Sequence, residues 1–361
     1  RVRAVAAPPV ERMRPVALSQ RRLLLLTQAL QEALDAGVPL LGTFAAIAEQ
    51  EDDVATARLL RDLGERVAAG QPLSDALAAH PRAFSPIYTA LVRAGEQSGS
   101  LPDVLQSIGA FLEWRASITG TVRQAMIYPL VVAVAGYGLV MFLLSFVLPR
   151  LSGVLAKLGG DLPAASRMLV AVSDFVAAHV GAILLATLAA VLTTWLALRS
   201  QAARQAATQL LATLPVSRRV VRAFAVAQFA RTIGVLLNAG LTMTHALQLG
   251  AASVSLPELR QRIEAARDRI VRGARLAEAL RQERVLAPVA LTMVPVGEEA
   301  ARLPITFERL SRTFDREVKE AVARALALLE PAVTVALGLV VGGVAVLVVV
   351  TIYSAMQGIG R

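Results

Sequence analysis

The chain repeats itself. Ala36-Gly37-Val38, Gly70, Leu73 and Leu77 return as Ala239-Gly240-Leu241, Gly273, Leu276 and Leu280, each pair 203 residues apart. After a one-residue slip the register continues at 202. Pro86 meets Pro288, Gly95-Glu96 meets Gly297-Glu298, Leu101-Pro102 meets Leu303-Pro304, and Pro129 meets Pro331. A period near 200 is far beyond the roughly 20–50 residues of solenoid repeats. It marks duplication of a whole domain, and in both copies the matched segment runs into an uncharged stretch long enough to cross a bilayer.

Three stretches lack Asp, Glu, Lys and Arg over a membrane length: Gln124 to Pro149, Val180 to Leu198, and Pro331 to Gly360. A spanning helix needs about 20 apolar residues, so all three qualify. The mean hydropathy of +0.58 and the 55% hydrophobic content agree with membrane segments. Arg1 to Gln20 is rich in Arg and Pro and has no apolar centre, so no signal peptide is expected there. Cysteine is absent, which excludes disulfides and thiolate zinc sites.

Between the spans the sequence reads as helix punctuated by glycine and proline. Leu23, Leu26, Leu30 and Leu34 recur at helical spacing until Gly37 stops them. Gly70-Gln71-Pro72 divides a further helix pair, and a long helix is expected from Leu101-Pro102 onward. Sustained period-2 alternation is missing. The expected fold is an all-α membrane protein with two duplicated cytoplasmic helical bundles of about six helices each and three transmembrane helices. The expected order is a flexible lead-in (1–17), a first cytoplasmic domain (18–125) and a first transmembrane helix (126–149). A short periplasmic loop (150–179) and a second transmembrane helix (180–199) follow. A second cytoplasmic domain (200–330), a third transmembrane helix (331–354) and a periplasmic tail (355–361) complete it. A turn is expected at Leu158 to Pro163 and a short helix at Arg167 to Phe175.

Orientation follows from flanking basic residues. Arg199, Arg204, Arg218, Arg219 and Arg222 follow the second span, and Arg309, Arg312, Arg316, Lys319 and Arg324 precede the third. Both asymmetries place the two domains in the cytoplasm, against a weak opposite signal at the first span. The net charge of +10 comes almost wholly from arginine, with Lys157 and Lys319 the two lysines. The near-exclusive use of arginine is read first as genomic codon bias, and the functional alternative is attraction to an anionic lipid leaflet or an acidic partner. Arginines interleaved with carboxylates and an aromatic content of 4% argue against nucleic acid.

Catalytic patterns do not appear. His80, His179 and His245 are scattered, and neither a phosphate-binding P-loop nor a dinucleotide glycine fingerprint is present. Gln97-Ser98-Gly99 has no histidine and acid assignable to it. Uncharged spans argue against a pump or carrier, which places ionisable groups at membrane depth. A small channel or carrier lined by Tyr137, Ser145 and Thr194 is the alternative from another class. Gly338 and Gly342 form a G-x-x-x-G that lets helices approach, with lipid or the chain's own first span as the other reading.

The paired segments Gly95-Glu96-Gln97-Ser98-Gly99-Ser100-Leu101 and Gly297-Glu298-Glu299-Ala300-Ala301-Arg302-Leu303 are the candidate site. Each reads as a helix end, a tight turn and a helix start. The first glycine permits close approach, Gly99 suits a left-handed cap, and the acid is expected to cap the next helix. The functional alternative is a docking corner, or a cation site through Glu96 and a nearby acid.

These segments carry a resemblance. Leu26-Thr27-Gln28, Ala36 to Leu40, Gly95 to Leu101 and Tyr128-Pro129 resemble the protein F family of type II secretion and its type IV pilus relatives. Phe229 to Thr232, Ala239 to Leu241, Gly297-Glu298 and Glu330-Pro331 match in the second copy, and Leu148-Pro149, Leu162-Pro163, Arg167 and Ser173-Asp174-Phe175 favour the secretion branch. The resemblance spans residues 18–357 and departs where Ala300-Ala301-Arg302 replaces a second Ser/Thr-Gly. It implies a non-enzymatic inner-membrane platform that couples a cytosolic secretion ATPase to pseudopilin assembly. The implied partners are that ATPase, other inner-membrane secretion components, pseudopilins, membrane lipid and further copies of the chain. It also implies a divalent cation in the first domain, with Glu96 the candidate ligand, and no other cofactor. The corner residues Gly95, Glu96, Gly99, Leu101, Gly297, Glu298 and Leu303 join Tyr128, Pro129, Glu330 and Pro331 as interaction or structural positions.

Overall fold

A computed structural model describes residues 16–150, 164–197, 203, 215–287 and 290–359. Residues 1–15 of the expected lead-in and the turn expected at 158–163 lie outside these residues. Among the described residues there are helices and no strand.

The first bundle contains α1 (Gln20–Asp35), α2 (Leu40–Gln50), α3 (Val54–Ala68), α4 (Leu73–Ala78), α5 (Pro86–Ser98) and the start of α6 (Leu101–Phe142). After α7 (Ala164–Ala197) the plan recurs. It runs through α8 (Pro215–Asn238), α9 (Met243–Ser253), α10 (Pro257–Val271), α11 (Leu276–Gln282), α12 (Met293–Glu299) and α13 (Leu303–Ile359). Six helices per copy match the expectation.

The turns repeat as well. Gly37 and Gly240 have φ of 76° and 83°, and Gly70 and Gly273 have φ of 86° and 96°. An L side chain is strained in that region, so the glycines end their helices. In each case the following amide bonds back to the helix, as Val38 N does to Ala33 O and Leu241 N to Leu236 O. Leu59, Leu60, Leu63 and Phe44 are fully buried in the first core, and Phe229, Ile233, Leu280 and Phe307 in the second.

The chain divides into two compact units. One gathers both bundles, from the N-terminus to Thr119 and from Phe224 to Asp315. The other holds Gly120–Ala223 and Arg316–Arg361. Within the first unit the two copies touch through α6, α8 and α13. The Trp114 indole stacks on Phe224 at 6.3 Å with the rings 6° apart, and its Nε1 donates to Asp315 Oδ1 at 2.6 Å.

Four helices among the described residues are long and apolar enough to cross a membrane: Leu101–Arg150, Ala171–Thr194, Arg218–Asn238 and Leu303–Gly343. The sequence alone suggests three. In Arg218–Asn238, 56% of the most apolar window is buried within the protein, against 6%, 6% and 0% in the others. That helix is α8, the counterpart of α1, and its apolar residues fill the second core rather than facing lipid.

Helix α6 continues past Phe142 through a π turn at Leu143–Val147 to Arg150. Pro149 has no amide to give Ser145, and the ladder widens so that Leu148 N bonds Leu143 O instead. The loosened turn is used. Buried Ser173 on α7 donates its hydroxyl to Leu144 O at 2.6 Å. The short helix expected at 167–175 is part of α7, which bends at His179 (φ −116°, ψ 16°). Its Nδ1 lies 2.9 Å from Phe175 O, taking the carbonyl that the helix ladder would use.

Candidate functional site

Each glycine–acid corner is built from three elements. In the first copy α5 ends at Ser98, Gly99 adopts φ 70°, and α6 begins at Leu101. Ser100 N bonds Gly95 O at 3.0 Å, closing the turn. A Cβ on Gly95 would lie 3.1 Å from Val104 Cβ and 3.2 Å from Leu101 Cα, so a larger residue would push α6 back by a few tenths of an ångström. Gly297 is tighter still, with a Cβ there 2.2 Å from Thr306 Oγ1. Ala301 takes the place of Gly99 at φ 54°, and Arg302 N bonds Gly297 O at 2.8 Å.

The acids act at a distance. Glu96 does not cap the helix that follows it. Its carboxylate accepts from Leu73 N and, at 3.1 Å, from Ser74 N, at the start of α4. Glu298 accepts from Leu276 N at 2.9 Å and Ala277 N at 3.2 Å, at the start of α11. The first amides of a helix have no partner within it. The residues before α4 and α11 are Pro72 and Arg275, and neither supplies a side-chain cap. A carboxylate from the end of another helix fills that need, and its charge suits the positive end of the helix dipole. The result is a staple between α4 and α5, and between α11 and α12.

Both Glu96 oxygens thus hold main-chain donors, and a cation there would share the carboxylate with them. Among the described residues no group of three or more His, Asp or Glu side chains is placed to hold a metal ion. In the second copy Glu299 pairs instead with Arg275, at 3.1 Å and largely exposed.

A second polar cluster escaped the sequence reading. Asp62 accepts from Arg66 Nε at 2.7 Å and lies 2.7 Å from His80 Nε2. Burial opposes its ionisation, but the hydrogen bonds from Arg66 and His80 outweigh it and hold the carboxyl below its usual range. In the second copy Arg269, the equivalent of Arg66, bonds Glu283, which stands in the place of His80. Tyr88 and Thr27 share a buried hydroxyl pair at 3.0 Å, and burial pushes the phenol up to about 12. Ala290 and Ala230 occupy these places in the second copy.

In the other compact unit, Tyr128 and Pro129 line a groove of about 160 Å³ with Ala125, Leu326, Ala327 and Thr334. Pro129 and Pro331 both sit inside continuous helices, and Glu330 lies on α13. A Cβ on Gly136 would lie 3.0 Å from Leu337 Cδ1, which marks a close approach of α6 to α13. Among the described residues, nothing beyond the adjoining backbone of α13 lies within 4 Å of the Cβ position at Gly338 or Gly342.

Two homologous helical bundles, each closed by a helix that carries on into an exposed apolar stretch, define a duplicated multi-pass membrane protein. The family model for Type II secretion system (T2SS), protein F, matches residues 26–149 and again residues 229–351. The chain belongs to this family. It is 34% identical over 329 residues to the Type 4 fimbrial assembly protein PilC of Pseudomonas putida, covering 91% of this chain and 82% of the relative. It is 33% identical over 321 residues to the Type IV pilus assembly protein PilC of Thermus thermophilus, covering 89% and 79%. Type II secretion system protein F of Vibrio cholerae is 30% identical over 342 residues, covering 94% and 83%.

Proposed function

We propose that this chain is a non-enzymatic platform in a bacterial inner membrane, coupling a cytosolic assembly ATPase to pseudopilin assembly in type II secretion. The observation that carries the reading is architectural. Both bundles form one compact unit, and α6 and α13 each run without a break from a bundle into an apolar segment. Such helices can pass a displacement of the bundles into the membrane. The corner acids are occupied in tying helices together, which suits a rigid transmitting body.

The arginines flanking the spans support cytoplasmic bundles with the 150–179 segment and the tail outside. Gly338 and Gly342 leave a smooth strip on α13 for another membrane helix, which supports association between copies. Glu96 keeps the role of candidate cation ligand. A Glu96→Gln variant that lowers calcium uptake by the purified protein supports that role, and unchanged uptake removes it.

The second reading is a platform for type IV pilus assembly, favoured by the 34% and 33% identities to two pilus proteins. Deleting the gene and scoring both exported protein in the medium and surface pili separates them. Loss of secretion with pili intact supports the first reading, and the reverse supports the second. Intact secretion and intact pili contradict both.

A further inference from the structure

The join between the two bundles is not a two-fold. The first copy offers α5 and α6, and the second offers α8, α9 and, through Ile305 and Asp315, one side of α13. Trp114 on α6 meets Phe224 and Arg231 on α8 and Asp315 on α13, and α5 touches α9. Under a two-fold, the repeat-equivalents Arg316 and Arg21 would meet in the same way. Both are exposed. One face of each type is therefore used inside the chain, and its mate is left open: on the second copy the side of α12/α13 that carries Val296, Arg309, Arg312 and Arg316, and on the first α1/α2 with Asp103 and Glu113 of α6. A contact whose two sides differ, with one of each left free, passes from molecule to molecule.

Shifting the internal contact by one repeat shows what the open faces would bring together. Trp114 against Asp315 becomes Arg316 against Glu113 of the next copy. Ser107 and Ala110 line a cleft of about 200 Å³ with Arg231, Val235, Asn238 and Ile305. Shifted, this becomes Arg309 and Arg312 against Gln28, Glu32, Asp35 and Asp103. Three arginines thus face four carboxylates, with Arg21 the single like charge, and all eight charged residues are exposed. Arg312 pairs with Glu308 on its own helix, while Asp35 and Glu113 accept from Gln31 and Gln28. Exposed contacts of this kind are exchanged at little cost. The α5–α9 contact shifts to α12 against α2, where Val296 is 67% and Leu41 44% exposed.

We propose that copies of this chain associate head to tail. The α12/α13 face of one copy, through Arg309, Arg312 and Arg316, docks on the first-bundle face of the next, through Glu32, Asp35, Asp103 and Glu113. The inference rests on the reading above that copies associate, and it adds the surface and its polarity.

The chain has no cysteine, so crosslinks can be placed freely. Two differently tagged full-length copies are co-expressed, one with Arg316→Cys and one with Glu113→Cys, and the membranes are treated with a short bismaleimide. A crosslinked product carrying both tags is expected, with none when either variant is expressed alone. Homodimers of one variant alone would instead indicate a two-fold contact and overturn the proposal. Co-purification of the tags without any crosslink overturns this surface and leaves self-association standing. Failure to co-purify overturns both. As a second arm, the R309E/R312E/R316E variant should lower co-purification about ten-fold, and a partner carrying E32R/D35R/D103R/E113R should restore it. Because all seven positions are exposed, these changes leave the cores intact, and an unchanged yield also overturns the proposal.

Discussion

Trp114 of the first repeat donates its indole N–H to Asp315 of the second, at 2.6 Å across 201 residues of sequence. Arg316 and Glu113 are the repeat-equivalents of these two residues, so this bond exists once in the chain. Trp114 is nearly buried, and a hydrogen bond to a carboxylate in such a place contributes about 1.5–3 kcal/mol. Trp114→Phe keeps an aromatic ring and removes the donor. It should lower the thermal midpoint of the purified protein by an amount equivalent to about 2 kcal/mol. Asp315→Asn, which keeps an acceptor, should cost less, and calorimetry of both variants in detergent checks the order.

Glu96 and Glu298 should behave as helix caps. Glu96→Ala leaves the amides of Leu73 and Ser74 without their acceptor and should destabilise the first bundle by about 1–2 kcal/mol. Glu96→Gln retains one acceptor oxygen and should lose about half of that. Hydrogen exchange at Leu73 and Ser74 should quicken in both variants, while Leu276 and Ala277 stay protected by Glu298.

Ala301 holds φ 54°, where an L side chain costs about 1 kcal/mol. Ala301→Gly should therefore raise stability by about that amount, and Gly99→Ala should lower it by a similar amount. Thermal melts of the two single variants should move in opposite directions.

Stability should fall in acid through Asp62. Its carboxyl is held below the usual range in the fold despite burial, by Arg66 and His80. The stabilisation is complete above the unfolded value of about 3.9 and is lost as pH drops through the folded value. Tyr88 acts at the other end. Burial raises the phenol to about 12, so its contribution is present below about 10 and lost as pH climbs from 10 to 12. Denaturant midpoints measured against pH should flatten on the acid side in Asp62→Asn and on the alkaline side in Tyr88→Phe.

Much of this fold is legible in the sequence because its signals are local. Gly37, Gly70, Gly240 and Gly273 announce helix ends, since few residues accept positive φ. The spacing of Gly95 and Gly297 before Leu101 and Leu303 announces a close helix return. What escaped was non-local. Glu96 reaches amides some 22 residues earlier, and no pattern around it names Leu73 or Ser74 as partners. Trp114 finds Asp315 through packing of one repeat on the other, which a repeat read in register does not reveal. Arg218–Asn238 has the apolar content of a membrane span, and only its burial places it in a core.

The proposed platform requires both bundles to lie on the cytoplasmic side of the membrane. The absence of cysteine permits a direct measurement. Single cysteines are placed at exposed Gln50 and Arg284, one in each bundle, and at Gly160 between the first two spans. Each variant is exposed to a membrane-impermeant maleimide before and after the inner membrane is opened. With that topology the position-160 cysteine should react once the outer membrane is permeable, whereas the other two should react only after the inner membrane is broken. Reaction at position 50 or 284 with the inner membrane intact would contradict it.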